Sequence, residues 1–176
     1  MNSVDGVIYT IGHSTRTIDE FIELLEIYRI EKLIDIRTVP GSKHTPWFNS
    51  EVLEERLKER GIKYFHMKEL GGFRKQAKNS VNTGWRNASF RGYADYMQTE
   101  EFDAALKRLI EISSAERIAI MCAEAVPWRC HRMLVSDALF TKGVTVKHII
   151  SRTGIQEHVL TSFGRVDNGR VYYPGE

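Results

Sequence analysis

The pattern of apolar and polar positions predicts strands and helices in alternation. Val7 to Ile11 is an apolar run ended by Gly12, His13 and Ser14, a first strand and its turn. Thr17 and Glu20 have the spacing of a capping box, and behind them Ile18, Phe21, Ile22, Leu25 and Tyr28 recur at helical spacing. Leu33 to Arg37 predicts a second strand, followed by a loop from Pro40 to Pro46. Ser50 is placed to cap a second helix with Glu51 and Glu54 in its first turn, and Gly61 closes it. Tyr64 to Met67 reads as a third strand, and Gly71 to Gly92 as a long irregular stretch. Helical spacing returns from Tyr93 to Met97, and again after the cap Thr99 with Phe102, Leu106, Leu109 and Ile110. Ile118 to Cys122 is the most apolar strand and is expected at the centre of the sheet. Pro127 suits the first turn of the next helix, which runs to about Gly143, and Val144 to Ile150 makes a fifth strand. Asn168 and Gly169 suit a hairpin turn.

This alternation implies a three-layer α/β fold: a mainly parallel sheet of about five strands, helices on both faces and right-handed crossovers. The chain of 176 residues suits one domain spanning 1–176, with a core over about 7–150 and a C-terminal extension over 151–176. A domain of that size buries roughly 70% of its unfolded surface and needs no staple. The formal net charge is only +2, so attraction for phosphates has to come from local clustering. No apolar run reaches the length of about 18 residues that a membrane span requires. Met1 to Gly6 lacks a basic stretch followed by an apolar one, and Cys122 and Cys130 are the only cysteines. A reducing, cytoplasmic setting with no export signal is the expectation.

In open parallel sheets ligands bind at the carboxyl ends of the strands, and the polar residues there form a consistent set. The first strand ends in His13 and Ser14. The second carries Asp35 and ends in Arg37, with Ser42 and His44 beyond it, and the third ends near His66. The fourth ends in Cys122 and Glu124, and the following helix is expected to open with Arg129, Cys130, His131 and Arg132. An ionised Asp35 inside an apolar strand needs a partner, and Arg37 lies two residues on, on the same strand face. A structural ion pair accounts for these two as well as a catalytic one does. Cys122 reads as a core thiol or a nucleophile. Cys130, in a first helical turn beside three cations or potential cations, reads as a reactive thiol or as the neighbour of a bound anion.

The stretch from Gly71 to Gly92 carries Arg74, Lys75, Lys78, Arg86 and Arg91 with no acidic residue, interleaved with Trp85 and Phe90. With Trp47, Phe48 and Trp128 it offers stacking surfaces beside cations, suited to a base-bearing, phosphorylated ligand. A solvated basic loop with aromatic anchors in the core is the simpler alternative.

At these positions the sequence resembles the bacterial and archaeal family known as domain of unknown function 488. The matching runs are Thr10 to Ser14, Asp35 to Arg37 with Pro40 and Ser42, Leu70 to Gly72 with Arg74, and Tyr93 with Met97. Met121 to Glu124, with Pro127 and Cys130 to Arg132, is the most specific run, and His148-Ile149 closes the set. The resemblance covers roughly Tyr9 to Ile150. It implies that the rim residues are the family's shared ones and implies no established activity.

Three chemistries follow as expectations. The first is an enzyme or binder for a small anionic, phosphate-bearing and nucleotide-like ligand. Cys122, Glu124, Cys130, Asp35 and His13 are then the catalytic candidates. Ser14, Arg37, Ser42, Arg74, Tyr93, His131 and Arg132 are the binding candidates. A variant of it, rhodanese-like or phosphatase-like thiol chemistry, fits poorly: six residues separate Cys122 from Arg129 where a phosphatase loop has five, and Pro127 removes an N–H. The second is a nucleic-acid-binding protein without catalysis, drawn from the basic, aromatic stretch. The third, a metal site, does not match the common zinc spacings, and no metal is assigned. No cofactor and no oligomeric state are legible. A disulfide between Cys122 and Cys130 requires their Cα atoms within about 7 Å.

Overall fold

The computed structural model describes residues 6–175; of the Met1 to Gly6 stretch, residues 1–5 lie outside that range. The main sheet has six strands in the order β3-β2-β4-β1-β5-β6. They are β1 (Val7–Gly12), β2 (Lys32–Asp35), β3 (Lys63–His66), β4 (Ile118–Cys122), β5 (Thr145–Ile149) and β6 (Ile155–Glu157). All pairings are parallel except β5 with β6. A separate hairpin joins β7 (Arg165–Asp167) to β8 (Arg170–Tyr172). Its turn residues Asn168 and Gly169 both have positive φ, as a tight two-residue hairpin requires.

Alternation along the strands builds two cores. Tyr9, Ile11, Leu33, Ala119 and Met121 face α1 (Ile18–Ile27) and α2 (Ser50–Glu59). Ile8, Ile34, Ile118 and Ile120 face α3 (Ala88–Tyr96), α4 (Glu100–Ala115) and α5 (Arg132–Thr141). The three layers expected from the sequence are therefore present, with one strand more in the main sheet. Every residue of β4 is buried, as its apolar run foretold.

Thr17 accepts from the Glu20 N–H while the Glu20 side chain returns a bond to Thr17, and Thr99 caps α4 through the Phe102 N–H. Three local expectations are corrected. Ser50 is the first residue of α2, not its cap, and Asn49 stands at the cap position. The Asn49 side chain instead holds the Ser42 N–H. Pro127 opens a separate 3₁₀ turn, Pro127–Arg129, after which Cys130 is extended (φ −144, ψ 171). The helix begins only at Arg132, so Arg129, Cys130 and His131 precede it. The stretch after Gly71 becomes helical at Ala88 and is not structureless before that. Asp95 of α3 gathers the Ala77 N–H, the Ser80 hydroxyl and the Asn82 amide.

A buried polar chain ties the C-terminal extension to the core. The Thr10 hydroxyl meets His148 Nδ1 at 2.5 Å, His148 Nε2 meets His158 Nδ1 at 3.0 Å, and His158 Nε2 meets Asp137 at 2.7 Å. Asp137 also accepts from the Tyr173 hydroxyl and the Thr161 N–H. One direction of donation satisfies the series: Thr10 O–H to His148, His148 N–H to His158, His158 N–H to Asp137. Among the described residues no helix is long and apolar enough to cross a membrane.

His148 carries an acid-sensitive part of the stability. Burial, then the charges of His158 and Arg132, hold it down to about 3. An unfolded histidine titrates near 6.5. Below about pH 6.5 the unfolded chain therefore binds a proton that the folded one refuses until about pH 3, and stability falls as pH falls through that window. Urea unfolding between pH 7 and 5 is expected to show this loss. Replacing His148 with Gln should remove about one proton of the slope, about 1.4 kcal/mol per pH unit.

Candidate functional site

The candidate site is a cavity of about 540 Å³ at the carboxyl edge of the sheet. β4 lies between β2 and β1, whose following helices α1 and α2 cover one face, whereas α5, which follows β4, covers the other. Loops that diverge above adjacent strands leave a crevice, and the cavity occupies it. The loop after β4 is seated by β1. The His13 N–H donates to the Cys122 carbonyl and the Ser14 N–H to the Ala123 carbonyl, extending the ladder past the strands. A Cβ on Gly12 would stand 1.6 Å from the Glu124 carbonyl oxygen, so only glycine allows this approach.

Of the residues expected at the site, His13, Arg37, Ser42, Tyr93, Cys122, Glu124, Cys130 and His131 line this one cavity. Ser14, Asp35, Arg74 and Arg132 do not. Ser14 takes the left-handed turn conformation beside it (φ 47). Asp35 is fully buried and its carboxylate is spent. It accepts two bonds from Arg37 Nε, one from Arg37 Nη2 at 2.7 Å and one from the Tyr64 hydroxyl at 2.6 Å. It positions Arg37 and has no route to a ligand. Arg37 Nη2 also donates to the Phe48 carbonyl, leaving Nη1 to face His13 Nε2 at 3.5 Å. Arg74 lies over the Tyr96 ring at 3.7 Å and donates to the carbonyls of Lys68, Glu69 and Gly71.

Both lining histidines are neutral near pH 7. Burial lowers the His13 pKa, against the opposing pull of its bond to the Ser14 carbonyl. His13 stacks on Phe48 with ring centres 4.4 Å apart. Burial holds His131 down to about 4, and its Nε2 donates to the Ile36 carbonyl at 2.9 Å. Tyr93 packs beside His131, and its hydroxyl donates to the Leu70 carbonyl.

The floor of the cavity is sulfur. Cys122 Sγ and Cys130 Sγ lie 2.7 Å apart, both thiols free and buried. The Arg132 backbone N–H donates to Cys130 Sγ at 3.2 Å. The Arg132 side chain is fully buried behind the wall. Its Nη2 donates to the carbonyls of Glu124 and Ala125, and its Nε and Nη1 have no partner among the described residues. Burial pushes the Cys122 thiol up, but the bond from Cys130 and the Arg132 charge outweigh it and the net direction is down. Burial and the negative charge on Cys122 push Cys130 up. Cys122 is thus the more acidic thiol of the pair and Cys130 the less acidic.

Arg129, Phe73 and Phe90 also line the cavity. Arg129 and Phe90 are expected at the rim from the sequence without a binding role, whereas Phe73 is not singled out there. Arg129 and Glu124 are exposed at the rim and neither side chain has a hydrogen-bond or ion-pair partner among the described residues. Phe73 is 85% exposed and has positive φ (58), a conformation a non-glycine residue rarely takes. Its flanking glycines and arginine were the available signal. Trp85 packs between Phe90, Phe163 and Tyr173, and Trp47 donates its indole N–H to the Arg16 carbonyl. Among the described residues no group of three or more His, Cys, Asp or Glu side chains could hold a metal ion.

The family model described as "Domain of unknown function DUF488" matches residues 17–139. That span takes in every residue lining the cavity except His13. No curated protein and no solved structure matches the chain.

Two substitutions test the architecture of the site. Asp35→Asn leaves the buried Arg37 guanidinium without its counter-ion and should cost about 3–5 kcal/mol in urea unfolding at pH 7. Gly12→Ala forces the β1 end and the loop after β4 apart, and should lower the midpoint of thermal unfolding.

Proposed function

The chain belongs to the DUF488 family, which is defined by shared sequence and not by an activity. From the geometry of the cavity we propose that it is an enzyme using the Cys122 thiolate as a nucleophile on a small anionic ligand. The observation that carries this reading is the buried Arg132 guanidinium, set beside two thiols. A buried cation without a carboxylate is costly, and a thiolate at Cys122 is the negative charge best placed to offset it.

The lining supports an anionic, phosphate-bearing and nucleotide-like ligand in particular. Arg129 at the rim has no ion-pair partner among the described residues, and Arg37 Nη1 faces His13 inside the cavity. Phe73, Phe90 and Tyr93 give flat surfaces against which a ring can lie. His13 and His131, being neutral, place no like charge beside the thiolate's attacking path. Glu124 has no side-chain partner among the described residues and is the available acid or base. Asp35 holds Arg37 in place, and Arg132 supports the thiolate from behind the wall.

Alkylation tests this directly. An ordinary thiolate reacts faster with iodoacetamide than with the anionic iodoacetate. At Cys122 the preference is expected to reverse, with iodoacetate favoured about tenfold, because the surrounding cations attract the anion. Arg129→Ala should slow the iodoacetate reaction alone, and a nucleoside monophosphate or inorganic phosphate should protect against it. A Cys122 that neither reagent modifies at pH 7 refutes the nucleophile. A retained preference for iodoacetamide with no protection by phosphate refutes the anionic ligand.

A second reading has one observation in its favour. Phe73, Lys75 and Lys78 are all exposed within a few residues of the chain, the pairing of ring and cations on which a single nucleic-acid strand stacks. Binding of labelled oligonucleotides that weakens steeply with added salt is its signature. No binding at low salt removes it.

A further inference from the structure

We infer that Cys122 and Cys130 form a two-thiol redox centre that reduces small hydroperoxides and closes to an intramolecular disulfide. The inference shares the Cys122 thiolate with the reading above and needs none of its anionic ligand.

The geometry is that of a pair poised to bond. The sulfurs are 2.7 Å apart, and a disulfide bond is about 2.05 Å long, so closure needs a movement of less than an ångström. The residues come from different elements, the end of β4 and the position just before the helix cap. The intervening loop is fixed by the Gly12 contact and the 3₁₀ turn, so the approach is built into the fold. Structural cysteines that only fill a core have no need to converge on a cavity, and both of these line one.

The two sulfurs are also unequal, as an attacking and a resolving thiol must be. The neighbouring sulfur and the Arg132 charge shift Cys122 toward the thiolate, while burial and Cys122 shift Cys130 the other way, and the Arg132 backbone N–H fixes the Cys130 sulfur. Cys122 is about 1% exposed, which shuts out a protein disulfide as the oxidant and admits a small molecule entering the cavity.

The chemistry balances in two steps. The Cys122 thiolate attacks the terminal oxygen of ROOH and the O–O bond breaks. RO⁻ departs, takes a proton from water to become ROH, and leaves Cys122 as a sulfenic acid. The Cys130 sulfur then attacks the Cys122 sulfur. The S–O bond breaks, the hydroxide leaving group takes the Cys130 proton as water, and the disulfide forms. Two thiols have supplied two electrons to the peroxide. A dithiol reductant, the second co-reactant, reopens the disulfide by exchange.

The test is intact-mass measurement of the whole chain after equimolar hydrogen peroxide, and separately tert-butyl hydroperoxide, with remaining thiols blocked by alkylation. The expected result is loss of two hydrogens, no alkylation at either cysteine, and reversal by dithiothreitol. The rate should exceed that of free cysteine by about 100-fold, as a thiolate held by a fixed cation allows. Cys130→Ser should stop at a sulfenic acid on Cys122 that dimedone traps. The wild-type measurement decides the matter even where that variant does not fold. Oxygen addition to Cys122 without disulfide, or a disulfide formed no faster than with free cysteine, overturns the inference. If iodoacetate still alkylates Cys122 rapidly in that event, the nucleophile reading stands alone.

Discussion

Arg132 enters α5 at its first residue, fully buried, with two main-chain carbonyls taking its Nη2 and its Nε and Nη1 unbonded among the described residues. Much of what is distinctive about the site follows from that burial. A guanidinium stays charged at any pH the protein meets, so burial cannot neutralise it. The surroundings have to supply negative potential. The carbonyls of the loop after β4 supply some, and the adjacent thiols can supply a full charge by losing a proton. The same residue's backbone N–H holds Cys130, so one amino acid both places the second sulfur and biases the first.

Around that centre the other ionisable groups are restrained. Asp35 is saturated by Arg37 and Tyr64, which leaves Arg37 one outward-facing edge and no freedom to swing. His13 and His131 are kept neutral by burial and have one ring nitrogen each committed to a carbonyl. A chemical site benefits from such fixed dipoles, since they need not reorganise when charge develops. Glu124 and Arg129, whose side chains have no partner among the described residues, stand at the rim where a ligand would meet them first.

Between α5 and the sheet the buried run from Thr10 through His148 and His158 to Asp137 performs a different task. It locks the C-terminal extension against β1, β5 and α5, and Tyr173 completes it. Every member has its hydrogen-bonding need met in one consistent direction, which makes a buried polar chain stabilising and specific. The extension is therefore part of the domain and not an appendage to it.

The alternation of strands and helices along the chain, the apolar β4, the capping residues Thr17 and Thr99 and the Asn168-Gly169 turn were legible in the sequence, because each is a local pattern of period, cap or turn. So was the convergence of His13, Arg37, Cys122 and His131, since parallel strands put the loops that follow them at one edge. Tertiary structure alone decided the rest. It withdrew Asp35 and Arg132 from the cavity, because which face of a wall a buried side chain reaches depends on packing between elements distant in the chain. It tied Arg74 to Tyr96 and made Asp95 the anchor of the basic loop, contacts that no spacing encodes. Above all it set two sulfurs eight positions apart against each other, which required the 3₁₀ turn at Pro127 to interrupt the helix that periodicity had continued through Cys130.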